Sequence, residues 1–187
     1  MKEDGVVLVL DALAPKRSSL YRGLARGEWE RVARGIYVPA GMPLMQPEWL
    51  EAVTRRPEAT ICLTSALAYW DLTDEIPDQV HVAIWKGARK PATRSPLAWH
   101  HFDRDSFGEE RRELEIPGSD GRMIGIYGPE RSVVDCFRLR ALVGYETATV
   151  ALHELLARGG DRALLMRLAM RLPRARRPLL DILEALN

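Results

Sequence analysis

Only two cysteines occur in the 187 residues, Cys62 and Cys136. They lie far apart in apolar surroundings and belong to no CxxC pair or Cys/His cluster. That excludes a disulfide-framed scaffold and a zinc site of the usual spacing. Both read as small buried hydrophobes. Long apolar runs are missing too. Nothing approaches the roughly 20 residues that a membrane-crossing helix requires. The short run VVLVL follows Lys2, Glu3 and Asp4 and lacks a small-residue cleavage site, unlike a secretory signal. The expected location is the cytoplasm, with no membrane partner. Internal repeats and low-complexity segments are absent. A one-sided charge is absent as well, since the net charge is +1. What remains is 47% hydrophobic and 28% charged, enough to bury a core in one medium domain, or in a small domain beside a larger one.

The usual catalytic patterns are equally scarce. A nucleotidyltransferase needs a Gly-Ser loop followed by paired acids that hold magnesium. Gly118-Ser119 has no Asp-x-Asp or Asp-x-Glu after it, so GSDG reads as a turn. A restriction-type nuclease needs an acid and then acid-x-Lys. Asp78 followed by Ile84-Trp85-Lys86 has that outline, with isoleucine at the metal-binding position. His100 and His101 are adjacent, so on a strand they point to opposite faces, while His81 and His153 stand isolated. No Ser-His-Asp or Cys-His set has supporting context. The expectation is a protein that is not an enzyme and has no metal and no cofactor.

The charge that is present is zoned. Between Lys16 and Arg34 there are six basic residues and two acids. Between Asp103 and Asp120 seven acids face three bases, and between Arg158 and Arg177 seven arginines face one aspartate. Nucleic acid responds to such local zones rather than to the total.

In the first basic zone, SLYRGLARG predicts a helix with Ser18 as N-cap and Gly27 past its end. Leu20 and Leu24 face inward, and Ser18, Arg22 and Arg26 share an outer face. WERVA, a turn at Arg34-Gly35 and IYV predict a hairpin. Before them GVVLVLDALAP reads as a short strand and a helical turn that Pro15 closes. A basic helix followed at once by a basic hairpin is the layout of a winged helix-turn-helix. The helix would lie in the major groove, with Lys16, Arg17, Ser18, Ser19, Arg22 and Arg26 near bases or phosphates. The wing would set Arg31 and Arg34 against the backbone.

PAGMPLMQP, with three prolines and a glycine in nine residues, predicts a boundary near residue 43. It divides a module over 1–43 from a domain over 44–187. In the larger part PEWLEAVTRR is a helix with Pro47 in its first turn. ICL is a short buried run, and Thr64 is placed to cap the helix that follows. QVHVAIW and LAWHHFD alternate like strands, and RELEIP and RMIGIYG flank GSDG as a hairpin. From Pro129 onward the pattern is helical, with Val133, Val134 and Phe137 on one face and Asp161 as a cap. The loop KGARKPATR carries Lys86, Arg89, Lys90 and Arg94 with no acid between them, a candidate secondary contact for nucleic acid or a protein partner. The fold class expected is α/β, more closely α+β: a winged-helix-like module, then a mixed sheet-and-helix domain with a helical end.

Several stretches in order resemble one family. SSLYRGLARGEWERVARGIYVPA, ICLTSALAYWDLTDEIPDQVHVAIWKGARKP, IYGPERSVVDCFRLR and YETATVALHELLARG are similar to the AbiEi-type antitoxins of type IV toxin–antitoxin systems, also described as predicted transcriptional regulators of viral defence systems. The resemblance runs from about residue 5 to the end and rests on several moderate motifs. It implies a non-enzymatic antitoxin that counteracts a nucleotidyltransferase-type toxin without an obligatory complex. It also implies that the N-terminal module represses its own operon by binding inverted repeats in operator DNA, while the larger domain carries antitoxicity. Family members have another helix before the strand matching GVVLV, and here four residues precede Gly5. A truncated start, a degenerate module or another segment filling the gap are the alternatives. Two rival functions stay open: a protein-interaction module with a degenerate winged helix that does not bind DNA, and a nucleic-acid enzyme without a recognised motif.

Overall fold

A five-stranded mixed sheet carries structure on both faces, and the alternation of its strands decides what packs where. The computed structural model describes residues 7–8, 16–42 and 44–185. The helical turn expected before Pro15 lies outside them, as does position 43. The strands of this sheet are β4 (Thr60–Ile61), β5 (Val80–Trp85), β6 (Leu97–Phe102), β7 (Arg111–Glu115) and β8 (Met123–Tyr127), in the order β6-β5-β4-β8-β7. β5 and β6 run parallel, as do β4 and β8, whereas β4 meets β5 and β7 meets β8 in antiparallel pairs. The fold is α+β.

Successive side chains on a strand leave opposite faces. Val82 and Ile84 of β5 and Ile124 and Ile126 of β8 therefore pack in one cluster, and Ala83 and Tyr127 in another. The second cluster is covered by α3 (Leu63–Tyr69), α5 (Pro129–Arg138), α7 (Tyr145–Ala157), α8 (Arg162–Arg171) and α9 (Arg176–Ala185). The short helices α4 (Arg104–Phe107) and α6 (Arg140–Val143) join these layers. Val133, Val134 and Phe137 are fully buried, as their spacing on α5 predicts. Asp161 caps α8 by accepting the Leu164 N–H at 3.0 Å, and both cysteines are buried free thiols. Gly125 has a steric role, since a Cβ there would lie 2.5 Å from the Arg111 guanidinium. The bare backbone lets Arg111 cross the strand and donate to Thr60 Oγ1 at 2.9 Å.

The other sheet face carries α2 (Pro47–Arg55) and a small three-stranded sheet of β1 (Val7–Leu8), β3 (Ile36–Pro39) and β2 (Trp29–Ala33), all antiparallel. The β2–β3 hairpin is two-faced. Tyr37 and Trp29 pack with Leu20 and Leu24 of α1 (Arg17–Ala25). Ala33, Ile36 and Val38 instead join Trp49, Leu50 and Ala52 of α2 in the cluster beneath the large sheet. The two sides of the expected boundary near residue 43 thus share buried residues.

A buried ionic cluster locks α5 to the sheet. Arg131 is fully buried. It donates to Asp135 Oδ2 at 2.8 Å and to the carbonyls of Ser106 at 2.8 Å and Glu109 at 3.0 Å. Its guanidinium lies 4.5 Å from the centre of the Tyr127 ring. Arg138 meets Asp135 Oδ1 at 3.0 Å and sits over Phe102. Burial pushes the Asp135 carboxyl up, and the two arginines pull it back.

Two helix starts differ from expectation. α1 opens at Arg17 with Lys16 at the N-cap position and no side-chain cap bond, so Ser18 lies inside the first turn. α3 opens at Leu63, one residue before Thr64, with buried Cys62 at the N-cap position. In each case the hydroxyl sits just past the cap position, where it cannot accept an N2 or N3 amide.

Candidate nucleic-acid interface

α1 carries the first set of basic residues. Lys16, Ser18, Ser19, Arg22 and Arg26 are exposed, and Arg17 is the first residue of the helix. Arg22 Nε leans back on the Ser18 carbonyl at 3.3 Å, and Arg26 pairs with Glu28 at 3.3 Å. Gly23 allows α1 to lie close on the hairpin, because a Cβ there would meet Trp29 at 2.5 Å.

The hairpin separates its two arginines. Arg31 is the register partner of Tyr37, so it leaves the face that α1 covers. A bulge between Arg31 and Ala33 then turns the strand. Arg34 is at the exposed turn, beside Gly35 with its φ of 84°, a conformation glycine adopts without strain.

What lies next to Arg34 is the end of α2. Arg55 Nη2 donates to the Arg34 carbonyl at 3.1 Å and reaches Glu51 Oε1 at 3.4 Å. Glu51 is fully buried and accepts the Arg94 N–H at 3.1 and 3.2 Å and the Ser95 N–H at 2.8 Å. Burial raises its pKa, but the amides of Ser95 and Arg94, the Ser95 hydroxyl and the Arg55 charge outweigh that. The carboxyl is held below the ordinary range. Arg56 adds a second clasp by donating to the Arg89 carbonyl through Nε at 3.1 Å and through Nη2.

These contacts join the hairpin turn and the basic loop through one short helix. The loop is held at several backbone points: the Ala88 carbonyl by His101 Nε2 at 2.9 Å, the Arg89 carbonyl by Arg56, and the Arg94 amide by Glu51. Its basic side chains are left outward. Arg89, Lys90 and Arg94 are exposed and make no side-chain ion pair among the described residues, whereas Lys86 approaches Asp103 at 3.9 Å. The one acid at the centre of this group is buried and engaged, so the outer surface of Arg34, Arg55, Arg56, Arg89, Lys90 and Arg94 is cationic. Arg55 and Arg56 escape a reading of the sequence because they sit at the end of an ordinary amphipathic helix.

His81 and His100 are a further pair that sequence spacing does not reveal. In the parallel β5–β6 register His81 lies opposite Ala98 and Ala83 opposite His100, so the two rings are diagonal neighbours. His81 Nδ1 and His100 Nε2 are 2.9 Å apart with the rings nearly parallel. His81 is therefore not isolated. Burial, then His81, Lys90 and His101, lower the His100 pKa to about 4, and burial also lowers that of His81. Both shifts favour the neutral rings, in which one of the two facing nitrogens donates and the other accepts according to tautomer. Among the described residues no three His, Cys, Asp or Glu side chains gather where one metal ion could bind. The GSDG segment is the turn between β7 and β8. There Ser119 is buried, its amide donating to the Ile116 carbonyl at 3.1 Å and its hydroxyl to the Arg122 carbonyl at 3.4 Å.

The fold thus defines an α+β chain in which a two-faced hairpin is built onto a mixed sheet, with a cationic surface at their junction. No protein-family model and no curated protein matches the sequence. Among solved structures the chain is similar to the RV2827C protein from Mycobacterium tuberculosis, with a TM-score of 0.62, 17% identity and coverage of 92% of this chain and 68% of that one. That likeness is one of fold. Among the described residues no helix is long and apolar enough to cross a membrane.

Proposed function

We propose that the chain is a cytoplasmic DNA-binding antitoxin of the type IV kind, which represses its own operon and counteracts a nucleotidyltransferase-type toxin. The observation that carries the DNA-binding half is the clasped basic surface. Backbone atoms of the hairpin turn and of the 86–95 loop are fastened to α2 through Glu51, Arg55 and Arg56, while the side chains of Arg34, Arg89, Lys90 and Arg94 enter no ion pair among the described residues and face outward to phosphate. A surface whose framework is fixed and whose charges are unpaired suits sequence-independent backbone contact. α1, with Arg22 on its exposed side, is the element suited to base edges. The antitoxin half rests on the ordered resemblance of sequence stretches to the AbiEi-type family.

Fluorescence anisotropy with the native promoter duplex and a scrambled duplex, over several salt concentrations, tests this reading. Arg34→Ala and Arg89→Ala are expected to weaken both duplexes alike, and each to reduce the log–log salt slope by roughly one. Arg22→Ala is expected to cost about 1–3 kcal/mol on the promoter and less on the scrambled duplex. Negligible wild-type binding to both duplexes refutes the DNA-binding half. It would favour a module that contacts only protein.

A further inference from the structure

Four arginines outside the surface just described converge on one cleft. Arg140 of α6 and Arg174, Arg176 and Arg177 at the entry to α9 line an open space of about 490 Å³, completed by Pro178 and Asp181. Arg140 Nη1 donates to the carbonyls of Phe137 at 3.0 Å and Arg174 at 3.2 Å. One side chain thus ties the end of α5 to the turn before α9. Arg174 itself has a φ of 72°, in the left-handed region. Arg176 is the first residue of α9, a helix of 10 residues with no acid in its first turn. The dipole of α9 adds positive potential at this end. Among the described residues Arg174, Arg176 and Arg177 enter no ion pair. With one aspartate in the lining, the cleft carries three uncompensated positive charges.

We propose that this cleft binds a polyphosphate chain, free or carried by a nucleotide. Charge count selects the class. A single carboxylate leaves most of the cationic charge uncompensated, while a di- or triphosphate carries about three to four negative charges with oxygens spaced for bidentate guanidinium contacts. The volume falls in the range of small-molecule sites, roughly 300–1,000 Å³. The lining has one apolar residue, Pro178, and no aromatic ring. There is no platform for a base to stack on, so recognition falls on the phosphates.

Isothermal titration calorimetry of the full chain tests the assignment with tripolyphosphate, pyrophosphate, ATP and citrate as probes. Saturable binding of tripolyphosphate is expected, with citrate at least about tenfold weaker. An ATP affinity matching that of tripolyphosphate marks the phosphate chain as the recognised group, and a tighter one places the nucleotide as its carrier. The double variant Arg176→Gln/Arg177→Gln is expected to bind about tenfold more weakly or worse. The same charge loss at two exposed positions outside both basic surfaces, Arg158→Gln/Arg167→Gln, is expected to change affinity less than about twofold. Equal loss in both variants, or citrate binding as tightly as tripolyphosphate, overturns the assignment. Should the α9 variant prove less stable, Arg Nε–Hε chemical shifts of the wild-type chain decide instead. Perturbation confined to residues outside the cleft refutes the site.

Discussion

Replacing Glu51 with Gln changes one oxygen for an amide nitrogen and removes the charge that holds the basic loop. In the native chain the carboxylate accepts two amides, from Arg94 and Ser95, and contacts Arg55. A glutamine keeps one acceptor and turns an NH₂ group toward donors. Hydrogen bonds to a charged group contribute about 1.5–3 kcal/mol each. The loop can partly recover by turning its amides to water, so the expected loss is about 2–3 kcal/mol, or roughly 5–10 °C in Tm for a chain of this size. The pH dependence is specific. Because the Glu51 pKa is lowered in the folded chain from 4.5, its contribution is complete above the unfolded value and is lost as pH falls through the folded one. The stability gap between wild type and Glu51→Gln is therefore constant at neutral pH and closes in acid. Circular-dichroism melts across pH, with amide exchange at Arg94 and Ser95, measure both effects. Equal melting temperatures at pH 7 with unchanged protection of those two amides would refute the clasp.

Arg131→Leu is expected to cost about 3–5 kcal/mol, since it leaves the buried Asp135 with Arg138 as its remaining cationic partner and two carbonyls without their donor; urea unfolding that finds the variant as stable as wild type contradicts the assigned role of the cluster. For His100 the folded pKa is lowered from 6.5 to about 4, so the stability tied to its neutral form is complete above pH 6.5 and declines as pH falls toward 4. Discounting for the partly solvated ring, that amounts to about 2 kcal/mol. His100→Gln should reduce that slope, leaving the part that His81 contributes, and an unchanged pH profile in thermal melts would argue against it.

The parts of this fold that sequence reveals are those written in short-range spacing. The β2–β3 hairpin follows from Arg34-Gly35 between two apolar runs, and the start of α2 follows from Pro47. Buried strands are legible as apolar runs, but their neighbours are not. Nothing local says that β5 runs parallel to β6, and only that register brings His81 beside His100. The clasp at Glu51 escapes for the same reason. Its partners are the hairpin turn and a loop some forty residues on, and a glutamate between Leu50 and Ala52 reads as one more solvated charge. Capping failed at Ser18 and Thr64 because a hydroxyl marks the neighbourhood of a helix start and not its residue: α1 opens one residue before Ser18 and α3 one before Thr64.

The narrowest part of the large sheet is its middle. β4 contributes only Thr60 and Ile61, yet it hydrogen-bonds β5 on one side and β8 on the other. Both of those partners follow it in the chain, β8 about sixty residues later. A nascent chain can thus pair β4 with β5 soon after Trp85 is made, but the other half of the sheet closes only once Tyr127 has left the ribosome. Until then one edge of a two-residue strand is open, and the hairpin and α2 beneath it lack Ile124 and Ile126 as a floor. Long-range pairing of this kind slows folding and prolongs the exposure of apolar surface. The basic surface is encoded early in the chain, but the sheet on which its α2 base packs is completed only when β8 is made.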